Sequence, residues 1–372
     1  MKKLLYFFLP ALVLLSCVEQ YAVPVRVEQS QLVIDGGITT APPPYNIKLT
    51  YSGVFDYANV IPPTSVESRA KITVSDDKGQ STSFQYLGLG NYQSQNAQFR
   101  GQTGRSYTVK IELPDGRTFQ SKPELMPKPV VIKKVYGEFV PNLFVRTDIN
   151  QISFSSNYSI TERYPAEPDG PTGYRIYLDT DDPAGETNYY RWAGSSVTRR
   201  QTTGYNCGFF TICDNTCFLP TDFLDLNMLS DQLVDGNSIK KKPLFLVPVF
   251  VTGRMYIEVS QLNYTREAYQ FWKRYQDQLN RTGSILDPLP AAIEGNIYNV
   301  ANPNQLALGY FSAAANFKKR LTIDVAEPLE LPRGLFELRR GGCARDVYPT
   351  KNPYPTGEWP TSPTWVLDDP NK

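Results

Sequence analysis

Residues 70–86 read Ala70-Lys71-Ile72-Thr73-Val74-Ser75-Asp76-Asp77-Lys78-Gly79-Gln80-Ser81-Thr82-Ser83-Phe84-Gln85-Tyr86. Ile72 and Val74 alternate with Lys71, Thr73 and Ser75, and Thr82, Phe84 and Tyr86 alternate with Ser83 and Gln85. A period of two sends successive side chains to opposite faces, the mark of a half-buried strand. Asp76-Asp77-Lys78-Gly79, between the two runs, is hairpin-turn chemistry. The stretch predicts two antiparallel strands, and with them a β protein.

The same signal extends in both directions. Upstream it predicts a strand over Leu32-Val33-Ile34, a break at Gly36-Gly37, and a continuation at Ile38-Thr39. Pro42-Pro43-Pro44 makes a stiff connection, and Tyr45 to Tyr51 alternates again. Downstream come Gly90 to Ser94 and Tyr107 to Leu113, the latter closed by the turn Pro114-Asp115-Gly116-Arg117. Seven or so short strands in about 90 residues predict an immunoglobulin- or fibronectin-like β-sandwich over 30–122. Pro123, Pro127 and Pro129 mark 123–129 as a Pro-rich linker.

Residues 130–344 are expected to form a larger β-rich domain with one amphipathic helix. Its predicted strands are Leu143–Phe154, Tyr174–Leu178, Tyr189–Trp192, Phe245–Val251 and Arg254–Leu262. The helix is expected at 264–279, where Tyr264, Ala268, Phe271, Trp272, Tyr275 and Leu279 form an apolar stripe at helical spacing. Asn263 is its expected cap and Gly283 its left-handed exit. The stripe is expected to pack on a sheet rather than to hold a cofactor. Residues 345–372 are a Pro-rich tail carrying Trp359 and Trp365.

The 24 Tyr, 19 Phe and 30 Pro suit an exported, mainly β protein. The chain has no histidine, which excludes Ser-His-Asp and Cys-His nucleophiles and every His-containing zinc site. Carboxylate chemistry survives that exclusion. Met1-Lys2-Lys3 followed by the apolar run Leu4–Leu15 has the form of a signal peptide, 1–16. At twelve residues the run falls short of the roughly 20 that a spanning helix needs. It ends in Leu14-Leu15-Ser16-Cys17, a lipobox whose thiol would accept the diacylglyceryl group. Two or three acyl chains on Cys17 would anchor the protein firmly, with 17–29 as a lipidated tether. Loss of Lys2 and Lys3 would move the net charge from +1 to −1, which gives no basic field for nucleic acid.

Four further cysteines, Cys207, Cys213, Cys217 and Cys343, are disulfide candidates in an exported chain. Three pairings exist; the expected one joins Cys207 to Cys213 as a local clip and Cys217 to Cys343 as a long-range staple. Asp179, Asp181, Asp182 and Glu186 are calcium candidates, set against a plain solvated turn at Asp182-Pro183-Ala184-Gly185. Trp359 and Trp365 are candidates for a surface ligand contact. Gly-rich phosphate loops are absent and no cofactor is expected. No pair of carboxylates is marked as catalytic, and the expectation is a protein without enzymatic activity.

Several stretches together resemble domain-of-unknown-function family 4249. They are Leu32–Thr39, Gly101–Val109, Tyr189–Trp192, Glu267–Lys273, Gly283–Ala291, Gly295–Ile297 and Leu308–Ala313, in the family's order. The resemblance covers nearly the whole chain after Cys17. It implies an outer-membrane lipoprotein of the Bacteroidota, on the periplasmic or cell-surface face, without an activity to carry over. It also implies a companion of a TonB-dependent outer-membrane transporter, docking on it or gathering its substrate. The family often ends with a cysteine-bearing segment near a run such as Leu338–Gly342; here Cys343 follows that run. The alternatives are a surface adhesin or glycan-binding module and a histidine-free hydrolase. Retention on a glycan array, or turnover abolished by a carboxylate-to-amide change, would mark each.

Overall fold

The computed structural model describes residues 30–52, 65–140, 173–208, 211–248, 253–280 and 293–325. The fold is mainly β, as the sequence predicts, with one helix among the described residues. Within β11 and β12 the side chains of 198–222, 224 and 225 lie outside the description.

The N-terminal strands are β1 (Leu32–Thr39), β2 (Asn46–Tyr51), β3 (Lys71–Asp76), β4 (Ser81–Gly88), β5 (Asn91–Ser94), β6 (Ser106–Glu112) and β7 (Thr118–Ser121). The hairpin read from residues 70–86 is present, with Val74 opposite Thr82 and Ile72 opposite Phe84. The expected two-sheet sandwich is not what these strands make. They are joined by β15 (Glu294–Asn299) and β16 (Leu306–Val325) into a closed ring of nine, ordered β1-β2-β5-β4-β3-β6-β7-β15-β16 and back to β1. The closing pair is parallel, Val33 opposite Leu308 through Thr39 opposite Ala314. The correction has a steric cause. Gly36-Gly37 does not break the first strand; it lies inside β1, where a Cβ on Gly37 would overlap the Ser312 carbonyl oxygen of β16. Only glycine permits that approach.

The barrel is filled. Ile34, Ile38, Ile47, Leu49, Ile72, Val74, Val109, Ile111, Phe119 and Phe311 share one inward core. Outward positions such as Asn46, Lys48, Lys71, Ser81, Ser83, Gln85 and Lys110 are polar and exposed. A membrane-spanning barrel has the reverse arrangement, apolar outside and polar within. No helix among the described residues is long and apolar enough to cross a membrane.

The segment expected as a linker is packed. Its β8 (Glu124–Leu125) pairs with β6, and Glu124 and Met126 are buried. It leads to β9 (Ile132–Val140), which with β10 (Gly173–Asp181) and β13 (Ser238–Pro248) makes a three-stranded sheet, β13-β10-β9. Facing it is a sheet of β12 (Thr211–Ser230), β11 (Tyr189–Gly208), β14 (Gly253–Tyr264) and the second half of β16. Ile132, Ile176, Leu178, Phe245 and Val247 from the first sheet meet Tyr190, Trp192, Met255, Ile257 and Val259 from the second. This second body is thus a β-sandwich. It shares β16 with the barrel: up to Ala314 that strand pairs with β1, and from Ala315 it pairs with β14.

The helix, α1, spans Arg266–Leu279. Its cap is Thr265, whose hydroxyl oxygen accepts from the Ala268 N–H at 3.2 Å. Asn263 is not the cap: it belongs to β14, and its side-chain oxygen accepts from the Val130 N–H at 3.0 Å. Tyr264 likewise ends β14. The helix stops at Asn280, and Gly283 lies outside the described residues. Of the predicted stripe, Ala268 and Phe271 are buried against Tyr189, Tyr264 and Tyr310, and Trp272 is half-buried. Tyr275 and Leu279 are exposed, although Gln276 in the last turn donates to the Leu226 carbonyl of β12. The predicted strand Leu143–Phe154 lies outside the described residues.

Candidate functional site

Two loops cross between the sheets of the sandwich at the same end. Residues 182–188 carry the chain from β10 to β11, and 231–237 return it from β12 to β13. Each loop opens on an aspartate, Asp182 and Asp231, that is buried although polar. Asp235 adds a third, exposed carboxylate, and one oxygen from each of the three lies within 4.8 Å of the others.

Backbone donors from one loop hold the carboxylates of the other. The Gly236 N–H donates to Asp182 Oδ2 at 3.0 Å, the Gly185 N–H to Asp235 Oδ1 at 3.0 Å, and the Asn188 N–H to Asp231 Oδ2 at 2.7 Å. Gly185 (φ +90°) and Gly236 (φ +72°) both take the left-handed conformation, which glycine adopts without strain. The Tyr190 hydroxyl donates to Asp182 Oδ1. Burial, and the Asp182 carboxylate beside it, hold that hydroxyl far above its ordinary range, so it stays a donor. Burial also pushes the Asp231 carboxyl up; the Asn188 N–H opposes the rise and the negative Asp182 adds to it. Asp231 Oδ1 is buried with no hydrogen-bond partner.

Of the four calcium candidates read from the sequence, the structure keeps only Asp182 in this cluster. Asp179 accepts from the Lys241 N–H at 2.7 Å, and Asp181 pairs with Lys133 at 3.0 Å on the exposed side of β10. Alternation along a strand points both away from the turn. Glu186 pairs with Lys128 at 2.9 Å on the surface. Asp231 and Asp235 were not legible: Asp235-Gly236 reads as a turn, and nothing local pairs it with a loop some fifty positions earlier.

A further buried carboxylate lies where the barrel meets the helix. Glu124 on β8 accepts from the Thr265 and Tyr310 hydroxyls, the latter at 2.8 Å. Asn296 on β15 stands 3.4 Å from the same carboxylate. Burial outweighs these donors and lifts the Glu124 carboxyl to about 7. With three elements, β15, β16 and the start of α1, converging on it, Glu124 is a structural latch at the junction; its position inside an expected linker hid it.

Among the disulfide candidates, backbone pairing sets Cys213 opposite Tyr205 and Cys217 opposite Arg200 in the β11–β12 hairpin, whose Cys207 precedes the turn. The side chains of these three cysteines lie outside the description, as do Cys17, Cys343, Trp359 and Trp365 altogether.

Comparison with curated proteins finds no match. A family model described as Domain of unknown function (DUF4249) matches residues 18–320, which include every strand of the barrel and all but the end of β16. The chain belongs to that family.

Proposed function

We propose that this protein is a lipid-anchored accessory of the outer membrane, held there by acylated Cys17. It works without catalysis beside a TonB-dependent transporter, docking on it or presenting substrate to it. The observation that carries the proposal is Leu14-Leu15-Ser16-Cys17 at the end of a twelve-residue apolar run, with fourteen residues between Cys17 and the start of β1 at Leu32. The filled interior of the barrel supports it: a lipocalin-type cargo needs a hollow barrel, and here Ile34, Ile47 and Phe311 occupy that space. Recognition is thereby left to the loops and outer faces.

Labelling with a clickable fatty acid, followed by detergent extraction and affinity purification, tests the proposal. The wild type should take up label and bring down an outer-membrane transporter. Cys17→Ala should lose both label and membrane association. A Cys17→Ala protein that fractionates as the wild type does would overturn the anchor. A labelled wild type that enriches no transporter, yet is retained on a glycan array, would favour the adhesin instead.

A further inference from the structure

We propose that Asp182, Asp231 and Asp235 form a calcium site that clasps the two crossing loops of the sandwich. The site is independent of the transporter reading and of the lipid anchor. Its residues come from two loops that the β-sheets bring together, and hard carboxylate oxygens are the ligands calcium takes.

The second observation is the state of Asp231. The residue is fully buried, one oxygen accepts from the Asn188 N–H, and Oδ1 has no donor at all. A buried carboxylate oxygen without a partner is costly, and buried charges are normally paired or bound to metal. Asp182, also buried, offers it only another acceptor. Among the described residues no lysine or arginine forms a salt bridge with any of the three; Lys128 and Lys133 are engaged by Glu186 and Asp181. A positive charge is the missing component, and the place for it lies between the two carboxylates.

The surroundings suit a metal. Tyr190, Gly236, Gly185 and Asn188 each donate to one of the carboxylates, the arrangement that orients ligands around an ion. Each accepting oxygen keeps a lone pair for coordination. Oxygens bound to one ion can be no farther apart than twice the bond length, about 4.2 Å for magnesium and about 4.6–5.2 Å for calcium. Three oxygens within 4.8 Å of one another lie close enough that a small closure of the two loops would seat one calcium ion. Calcium takes six to eight oxygens, so water would complete the shell.

The test is thermal unfolding and calorimetric titration of the chelator-treated full chain with calcium chloride, then magnesium chloride. Calcium should bind and raise Tm by several degrees at up to about 10 mM, above the ~10⁻⁴–10⁻³ M range of extracellular calcium modules. Asp235→Asn, on the exposed side of the cluster, should leave the calcium-free Tm unchanged and weaken calcium binding about tenfold or more. Asp231→Asn should abolish the calcium response while raising the calcium-free Tm, because the amide can donate to Asp182. The absence of any calcium effect on the wild type would overturn the site, and would leave Asp182 and Asp231 sharing a proton instead. An equal response to both salts, or one unchanged in both variants, would overturn it as well.

Discussion

The Tyr310 hydroxyl donates to Glu124 at 2.8 Å, joining the shared strand β16 to the short strand by which the chain leaves the barrel. The same carboxylate accepts from Thr265, so the start of α1 hangs on it too. Glu267 in the first helical turn adds a like charge that favours the protonated form. Burial and that neighbour together outweigh the donors, which is why the group sits near 7 rather than in the ordinary carboxylate range.

A pH dependence follows, with a definite sign. The folded protein holds the Glu124 proton more tightly than the unfolded chain, so it binds more protons between about 4.5 and about 7. Stability contributed by this group is full below that window and lost as pH rises through it. Each tenfold difference in proton affinity between the folded and unfolded chain is worth about 1.4 kcal/mol, so a loss of roughly 3 kcal/mol is expected across the window. Urea unfolding at a series of pH values should show the decline, and Glu124→Gln should flatten it. The difference between the two proteins isolates Glu124, because every other titrating group, the raised Asp231 carboxyl included, is common to both. A wild type and variant with parallel profiles would refute the assignment.

The seam of the barrel is tested at its glycines. Gly309 on β16 has φ +90°, and a Cβ there would overlap the Ile34 carbonyl of β1. Gly116 has a similar φ, +88°, with nothing within 4 Å of its Cβ position. Gly116→Ala therefore carries backbone strain alone, about 1–3 kcal/mol. Gly309→Ala adds overpacking of typically about 1–3 kcal/mol more. Denaturation midpoints should rank wild type, Gly116→Ala, Gly309→Ala in falling order. Equal losses in the two variants would mean that β1 and β16 do not meet as described.

The local parts of this fold were legible and its long-range pairings were not. Residues 70–86 carry their hairpin in their own alternation, and Ala268 and Phe271 announce the helix by their spacing. The cap was misplaced by two positions because Asn263, a good capping residue, spends its side chain on Val130 across the junction. The alternation of β12 is obscured by Asp214, Asn215 and Pro220, residue types that favour turns; the strand lies at the end of the sheet, where a proline is tolerated. Barrel closure pairs Val33 with Leu308, and the acidic cluster pairs Asp182 with Asp231. No pattern within a window of ten or twenty residues encodes either partner.

The tryptophans test how far the two bodies depend on each other. Trp192 is fully buried, stacks on Tyr190 at 5.7 Å, and donates through Nε1 to Gln261 Oε1 at 2.9 Å. Gln261 passes the connection on, its amide donating to the Val130 carbonyl at 2.7 Å. Trp192→Ala should cost about 3–5 kcal/mol, the usual range for a buried aromatic. Trp272 is a lesser case: it is half-buried, it carries the Arg191 guanidinium 4.2 Å from its ring centroid, and its buried Nε1 has no partner. Trp272→Ala should cost less than Trp192→Ala. Trp272→Phe should be close to neutral, since it keeps a ring under Arg191 and removes an unsatisfied donor. A packed 123–129 segment and a β16 common to barrel and sandwich should make the unfolding one transition. Calorimetry of Trp192→Ala should therefore show a single peak moved to lower temperature. Two peaks, with the upper one at the wild-type position, would mean that the barrel stands without the sandwich and that β16 does not couple them.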